Sequence, residues 1–129
     1  MKFYIASGLS NKEAVRFVSE QLKNKGHVHT YDWTKNEKPV TLERLQEIGQ
    51  LELDGVLGAD VVIVLLPGGK GTHIELGIAL GQGKKIYLYS DNEEVNNVDT
   101  TSSFYQLPQV ETIIGSLDGL VELVCANLS

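Results

Sequence analysis

The residues with the most capacity for chemistry lie in the segment LPGGKGTHIELGIALGQGK, residues 66–84. Gly68, Gly69 and Gly71 precede a helix-like pattern that contains Glu75. Backbone N–H groups of a glycine-rich turn, aimed at the same point as a helix N-terminus, form a cradle for an anion or a ribose hydroxyl. Lys70 adds a positive charge and Thr72 a hydroxyl. Glu75 then has two readings. Thr72 and Glu75 have the spacing of a capping box, in which the carboxylate only satisfies the first helical turn; alternatively the carboxylate faces whatever the cradle holds. The usual nucleotide signatures are absent: GGKGTH is not GxGxxG, and GQGKK lacks the Ser or Thr of a P-loop. His73, beside Glu75, is read as facing solvent or fixing the turn. His27 and His29 alternate along one strand, but no third ligand accompanies them, so no metal is expected.

The elements that must position this turn follow from periodicity. KFYIA, residues 2–6, reads as a strand and ends in SGLS, with Ser7, Gly8 and Ser10. Ser10 and Glu13 have capping-box spacing ahead of an amphipathic helix that Gly26 closes. HVHTYDW is the next extended piece, and a polar loop leads through Pro39 to a helix from Thr41 to about Gly58. DVVIVLL is continuously apolar and β-branched, the pattern of a strand buried on both faces of a parallel sheet. The glycine turn, a helix through Gly83, the strand KIYLY, a polar irregular stretch over 90–110 and a closing helix over 116–128 complete the chain. Strands alternating with helices imply an α/β fold: a single doubly wound domain with about five parallel strands in the flavodoxin-like order 2-1-3-4-5. Ligands of such folds sit beyond the carboxyl ends of strands 1 and 3, where SGLS and PGGKGTHIE meet. Gly77 and Gly81 are expected to let their helix lie close to a neighbour.

At 129 residues the chain fits one compact domain. Its net charge of −6 argues against a nucleic-acid polymer or an anionic membrane as partner, since both are held by clustered Lys and Arg. A single cysteine, Cys125, excludes an intramolecular disulfide and a Cys-based zinc site, and a cytoplasmic location is expected. No signal peptide or membrane span is visible, VVIVLL being far shorter than the roughly 20 residues a span requires.

ADVVIVLLPGGKGTHIELGIALGQGKKIYLY resembles the core of the nucleoside 2-deoxyribosyltransferase family, whose relatives include deoxynucleoside 5'-monophosphate N-hydrolases. The resemblance covers residues 2–6 and about 50–89, and implies the same five-stranded fold. It makes Glu75, which precedes Leu76–Gly77, the nucleophile at the sugar, through a covalent glycosyl-enzyme intermediate. PGGKGTHIE also fits the PGGxGTxxE pattern of LOG-type nucleotide phosphoribohydrolases, but this chain lacks their length and continues as the deoxyribosyltransferases do. A non-catalytic nucleotide sensor using Glu75 only to grip a ribose hydroxyl or cap the helix is the rival of another class.

Chemistry at a glycosidic bond usually needs a second carboxylate. The family places it eight residues before the Asp that opens the third strand; from Asp60 this is Glu52, where an Asp is usual, with Asp54 as competitor. At 100° per residue Glu52 falls in the stripe of Leu45, Ile48, Gly49, Leu53 and Val56, while Asp54 lies about 160–200° away. Glu52 is therefore expected to point inward as the second catalytic residue, and Asp54 to face solvent, unless Gly55 breaks the helix. Tyr4 matches a family aromatic that touches the sugar or holds a carboxylate. Trp33 is expected at the rim, stacking on a base. The substrate implied is a nucleoside or nucleoside 5'-monophosphate, the latter favoured because Ser7, Ser10, Thr72 and Lys70 surround the turns with no acidic residue among them. No cofactor is implied. The family is typically dimeric or larger, and SFYQLPQVE, residues 103–111, is the candidate interface.

Overall fold

The structure is a computed structural model that describes residues 1–128. Five strands, β1 (Lys2–Ser7), β2 (Val28–His29), β3 (Val61–Leu65), β4 (Lys85–Ser90) and β5 (Val110–Ile114), form one parallel sheet in the order β2-β1-β3-β4-β5. Four helices connect and close it: α1 (Lys12–Asn24), α2 (Leu42–Gly58), α3 (Lys70–Gly81) and α4 (Leu117–Leu128). α1 packs beside α4, and α2 beside α3. Every residue of β3 is buried, as its unbroken apolar sequence demands of a central strand covered on both faces. Register sets the chemistry: Ser7 pairs with Leu65 and Leu65 with Tyr89, so the turns that follow β1 and β3 emerge side by side.

α2 spans the expected range. Thr41 caps it, its hydroxyl accepting from the Arg44 N–H at 3.0 Å, and Gly55 lies inside the helix, buried, without breaking it. α3 ends at Gly81, and Gly83, with φ of +67°, makes the left-handed turn into β4.

Four local expectations need correction. α1 starts at Lys12 with Asn11 at its N-cap and no side-chain cap, because Ser10 lies one residue too early, in the 3-10 turn Leu9–Asn11. The second strand contracts to two residues, since Asp32 folds the chain into a 3-10 turn at Trp33–Lys35 by accepting from the Thr34 N–H and hydroxyl. The fifth strand, expected where SFYQLPQV over 103–110 crosses back, is instead Val110–Ile114, preceded by a 3-10 turn at Ser103–Gln106. Gly77 and Gly81 face outward, and a Cβ at either would meet nothing within 4 Å, so no neighbour in this chain requires them.

His29 stacks on Phe3 with ring centroids 4.7 Å apart, and its Nδ1 lies 2.9 Å from the Ser19 hydroxyl. Burial pushes its pKa down to about 4, so it is a neutral packing residue at ordinary pH. Among the described residues no group of three or more His, Cys, Asp or Glu is placed to hold a metal ion. No described helix is long and apolar enough to cross a membrane.

Candidate active site

Glu75 sits in the second turn of α3, over the carboxyl ends of β1 and β3, and is only 7% exposed. It caps nothing. Gly69 is the N-cap of α3, and the Thr72 hydroxyl reaches back to accept from the Gly69 N–H at 3.0 Å. That bond leaves the Glu75 carboxylate free to turn inward, where the fully buried Tyr4 donates its hydroxyl to Oε2 at 2.5 Å. The capping-box reading of Thr72 and Glu75 fails for this reason: a hydroxyl already fills the cap, and a buried carboxylate is better served by a phenol than by solvent.

Glu52 approaches from α2. It is half-buried and close enough to act on the Glu75 carboxyl. The Glu75 carboxyl is pushed up from its ordinary 4.5 to about 8, first by burial, then by the hydrogen bond and negative charge of Glu52, with the Tyr4 hydroxyl opposing. The Tyr4 phenol is itself raised, by burial and by the charge of Glu75. At neutral pH Glu75 thus holds a proton, within reach of the Tyr4 phenol. Asp54 points away from the site, exposed, and accepts from the Gln50 amide at 2.8 Å.

The two glycine turns meet directly. The Gly8 N–H donates to the Pro67 carbonyl at 3.1 Å, across the cis Leu66–Pro67 bond. A Cβ on Gly8 would lie 3.0 Å from that same carbonyl oxygen, so any other residue there would press on the turn. The Ser7 hydroxyl donates to the Leu65 carbonyl at 2.7 Å and accepts from the Asn11 amide at 2.9 Å. Ser7, Gly8 and Gly69 therefore spend these polar groups on building the turns, and the Ser7 proton goes to the Leu65 carbonyl and not to a phosphate as expected, whereas the Thr72 oxygen accepts from Gly69 and keeps its own proton to donate. The first-turn amides of Lys70, Gly71 and Thr72 lack the intrahelical partner that later residues have. Lys70 is exposed at the start of α3, and Ser10 is exposed in the turn that follows Gly8.

Trp33 does not stand at the rim. It is 6% exposed, and its indole N–H donates to the Ile5 carbonyl at 2.7 Å, which makes it a strut beneath the site and removes it as a stacking surface. His73 fixes the turn. Because a carbonyl only accepts, its Nδ1 donates to Gly69 at 2.8 Å, and its Nε2 lies 2.5 Å from the Tyr105 hydroxyl. Tyr105 and Asn11 are contributors that sequence reading did not single out. Asn11 was legible as a polar residue just after the first turn, whereas nothing local marks Tyr105 as a partner of a histidine so distant in sequence.

The sequence model of the nucleoside 2-deoxyribosyltransferase family matches residues 3–111, so the chain belongs to that family. Its fold is similar to that of the CMP N-glycosidase BcmB of Clostridium botulinum, with a TM-score of 0.69 and 21% sequence identity over 98% of this chain and 99% of that one. No curated protein sequence matches the chain.

Proposed function

We propose that the protein cleaves, or transfers the sugar of, the N-glycosidic bond of a nucleoside 5'-monophosphate. The observation that carries this reading is the buried Glu75 carboxyl, held by the Tyr4 hydroxyl and facing Glu52 at the ends of β1 and β3. Family membership and the similarity to a CMP N-glycosidase support it. In the proposed reaction the proton on Glu75 moves to Glu52, and Glu75 attacks the anomeric carbon as a carboxylate. The bond from C1' to the base nitrogen breaks with its electron pair on the base, which takes a proton supplied through Glu52. Water then releases the sugar from Glu75 in a hydrolase; a second base does so in a transferase.

The phosphate would lie on the first-turn amides of α3, with Ser10 and Lys70 beside them. A charge-assisted contact of this kind contributes about 1.5–3 kcal/mol. Chromatography of reactions with a panel of nucleosides and their monophosphates, each with and without a free acceptor base, tests the reading. The expected result is a kcat/KM at least about tenfold higher for a monophosphate than for its nucleoside. Equal turnover of the nucleoside would move the chain to the nucleoside transferases, and no turnover of any substrate would favour the sensor.

The proposal includes a homo-oligomer. Its interface is placed on the outer face of α3, where Ile74 is 64% exposed and Gly77 and Gly81 leave open space. Each exposed glycine costs about 1 kcal/mol of helix propensity relative to alanine, which a close-packed second helix would offset. The 103–111 segment is a poorer candidate, because Tyr105 is bonded to His73 and Leu107 and Val110 pack on the core of their own chain. Light scattering at assay concentration is expected to give a dimer or larger species; a monomer would remove the idea.

A further inference from the structure

We propose that Gly55 is a positioning residue: its missing side chain lets α2 close onto Tyr4 and so brings Glu52 against Glu75. This inference rests on the reading of that pair as the reacting carboxylates. Gly55 and Val56 are the residues of α2 that are buried, so the helix presses closest to its neighbours there. A Cβ at Gly55 would lie 2.9 Å from Cβ of Tyr31 and 3.0 and 3.1 Å from Cδ2 and Cε2 of Tyr4. Neither neighbour can swing aside. The Tyr31 atom is anchored to its backbone, and the Tyr4 ring is fully buried with its hydroxyl bound to Glu75.

The contact is clamped from the other side as well. The Thr30 hydroxyl donates to the Gly55 carbonyl at 2.7 Å and lies 3.3 Å from the Phe3 carbonyl, joining α2 to the end of β2 and to β1. Gly49 and Gly58 of the same helix meet nothing within 4 Å, so Gly55 alone carries a steric requirement there. Glu52 stands about one turn before Gly55 on the same side of the helix. A methyl group at position 55 must lift α2 by several tenths of an ångström and carry Glu52 away from its partner.

The groups that act on the Glu75 carboxyl are Tyr4 from β1 and Glu52 from α2. On its own helix, Thr72 is bonded to Gly69, and His73 to Gly69 and Tyr105. Lifting α2 therefore weakens burial and the influence of Glu52, which both raise the Glu75 carboxyl, and leaves the opposing Tyr4 hydroxyl bonded to it.

The test is Gly55→Ala in the full chain, followed by carboxyl carbon NMR on glutamate-labelled protein, with the Glu75 signal assigned by its loss in Glu75→Gln. We expect Glu75 to titrate about one pH unit lower than in the wild type. With a cleavable monophosphate, kcat should fall about tenfold or more, beyond any change in KM. Unchanged titration and unchanged kcat would overturn the inference, even if the melting temperature dropped. Should Gly55→Ala fail to fold, Thr30→Val removes the clamp without adding volume, and must shift the Glu75 titration in the same direction by a smaller amount; no shift would overturn the inference equally. If the wild type cleaves no nucleoside or nucleotide, the proposed reaction fails, while the titration still decides the role of Gly55.

Discussion

Replacing Glu75 by alanine is expected to lower turnover by at least about a thousandfold, roughly 4 kcal/mol of barrier, with the fold kept. Glu75→Gln should be as inactive, because an amide cannot form the bond to the sugar. The two variants must gain stability at alkaline pH. Between 4.5 and about 8 the folded protein holds a proton on Glu75 that the unfolded chain has released. Stability from this group is therefore complete below 4.5 and declines as pH rises through about 8. Removing the carboxyl removes that decline, so Glu75→Gln should melt above the wild type at pH 8 or higher and close to it near pH 4.5. Retention of more than about a tenth of wild-type turnover by the alanine variant, a barrier change under about 1.4 kcal/mol, would disprove the nucleophile assignment.

Glu52→Gln should lower kcat by about a hundredfold, the usual scale for losing a general acid, while Asp54→Asn stays within about threefold of wild type. The difference follows from placement: Glu52 faces Glu75, and Asp54 is exposed and bonded only to Gln50. The pH profile supplies a second readout. kcat/KM reports the free enzyme, and the pair must keep the proton that it delivers to the base, so the alkaline limb should lie near 8, where Glu75 ionises. With glutamine at position 52 the opposing charge is gone and an amide donor can take its place, so the limb should move to lower pH in what activity remains. A larger loss for Asp54→Asn than for Glu52→Gln would reverse the roles of the two acids.

Much of this architecture is written in local pattern. The unbroken apolar run of β3 specifies a strand covered on both faces, and the repeat of strand and helix specifies parallel pairing with the glycine turns at one edge. The 3.6-residue period of α2 places Glu52 inward and Asp54 outward, because side-chain direction on a helix depends only on spacing. The type and place of Glu75 were equally legible.

Which group each polar atom would meet was not. Thr72 caps α3 and Glu75 turns to Tyr4, a choice made by a phenol 71 residues away. Ser7 bonds Leu65 because the register of β1 on β3 sets them side by side. Trp33 finds the Ile5 carbonyl beneath the site, and β5 emerges from a stretch with weak periodicity because β4 offers it an edge. Gly55 looks like a helix breaker until the rings of Tyr4 and Tyr31 are in place. Periodicity is a property of neighbours in sequence. Satisfying a buried carboxylate, and making room for the helix that carries its partner, depend on atoms that only long-range packing brings together.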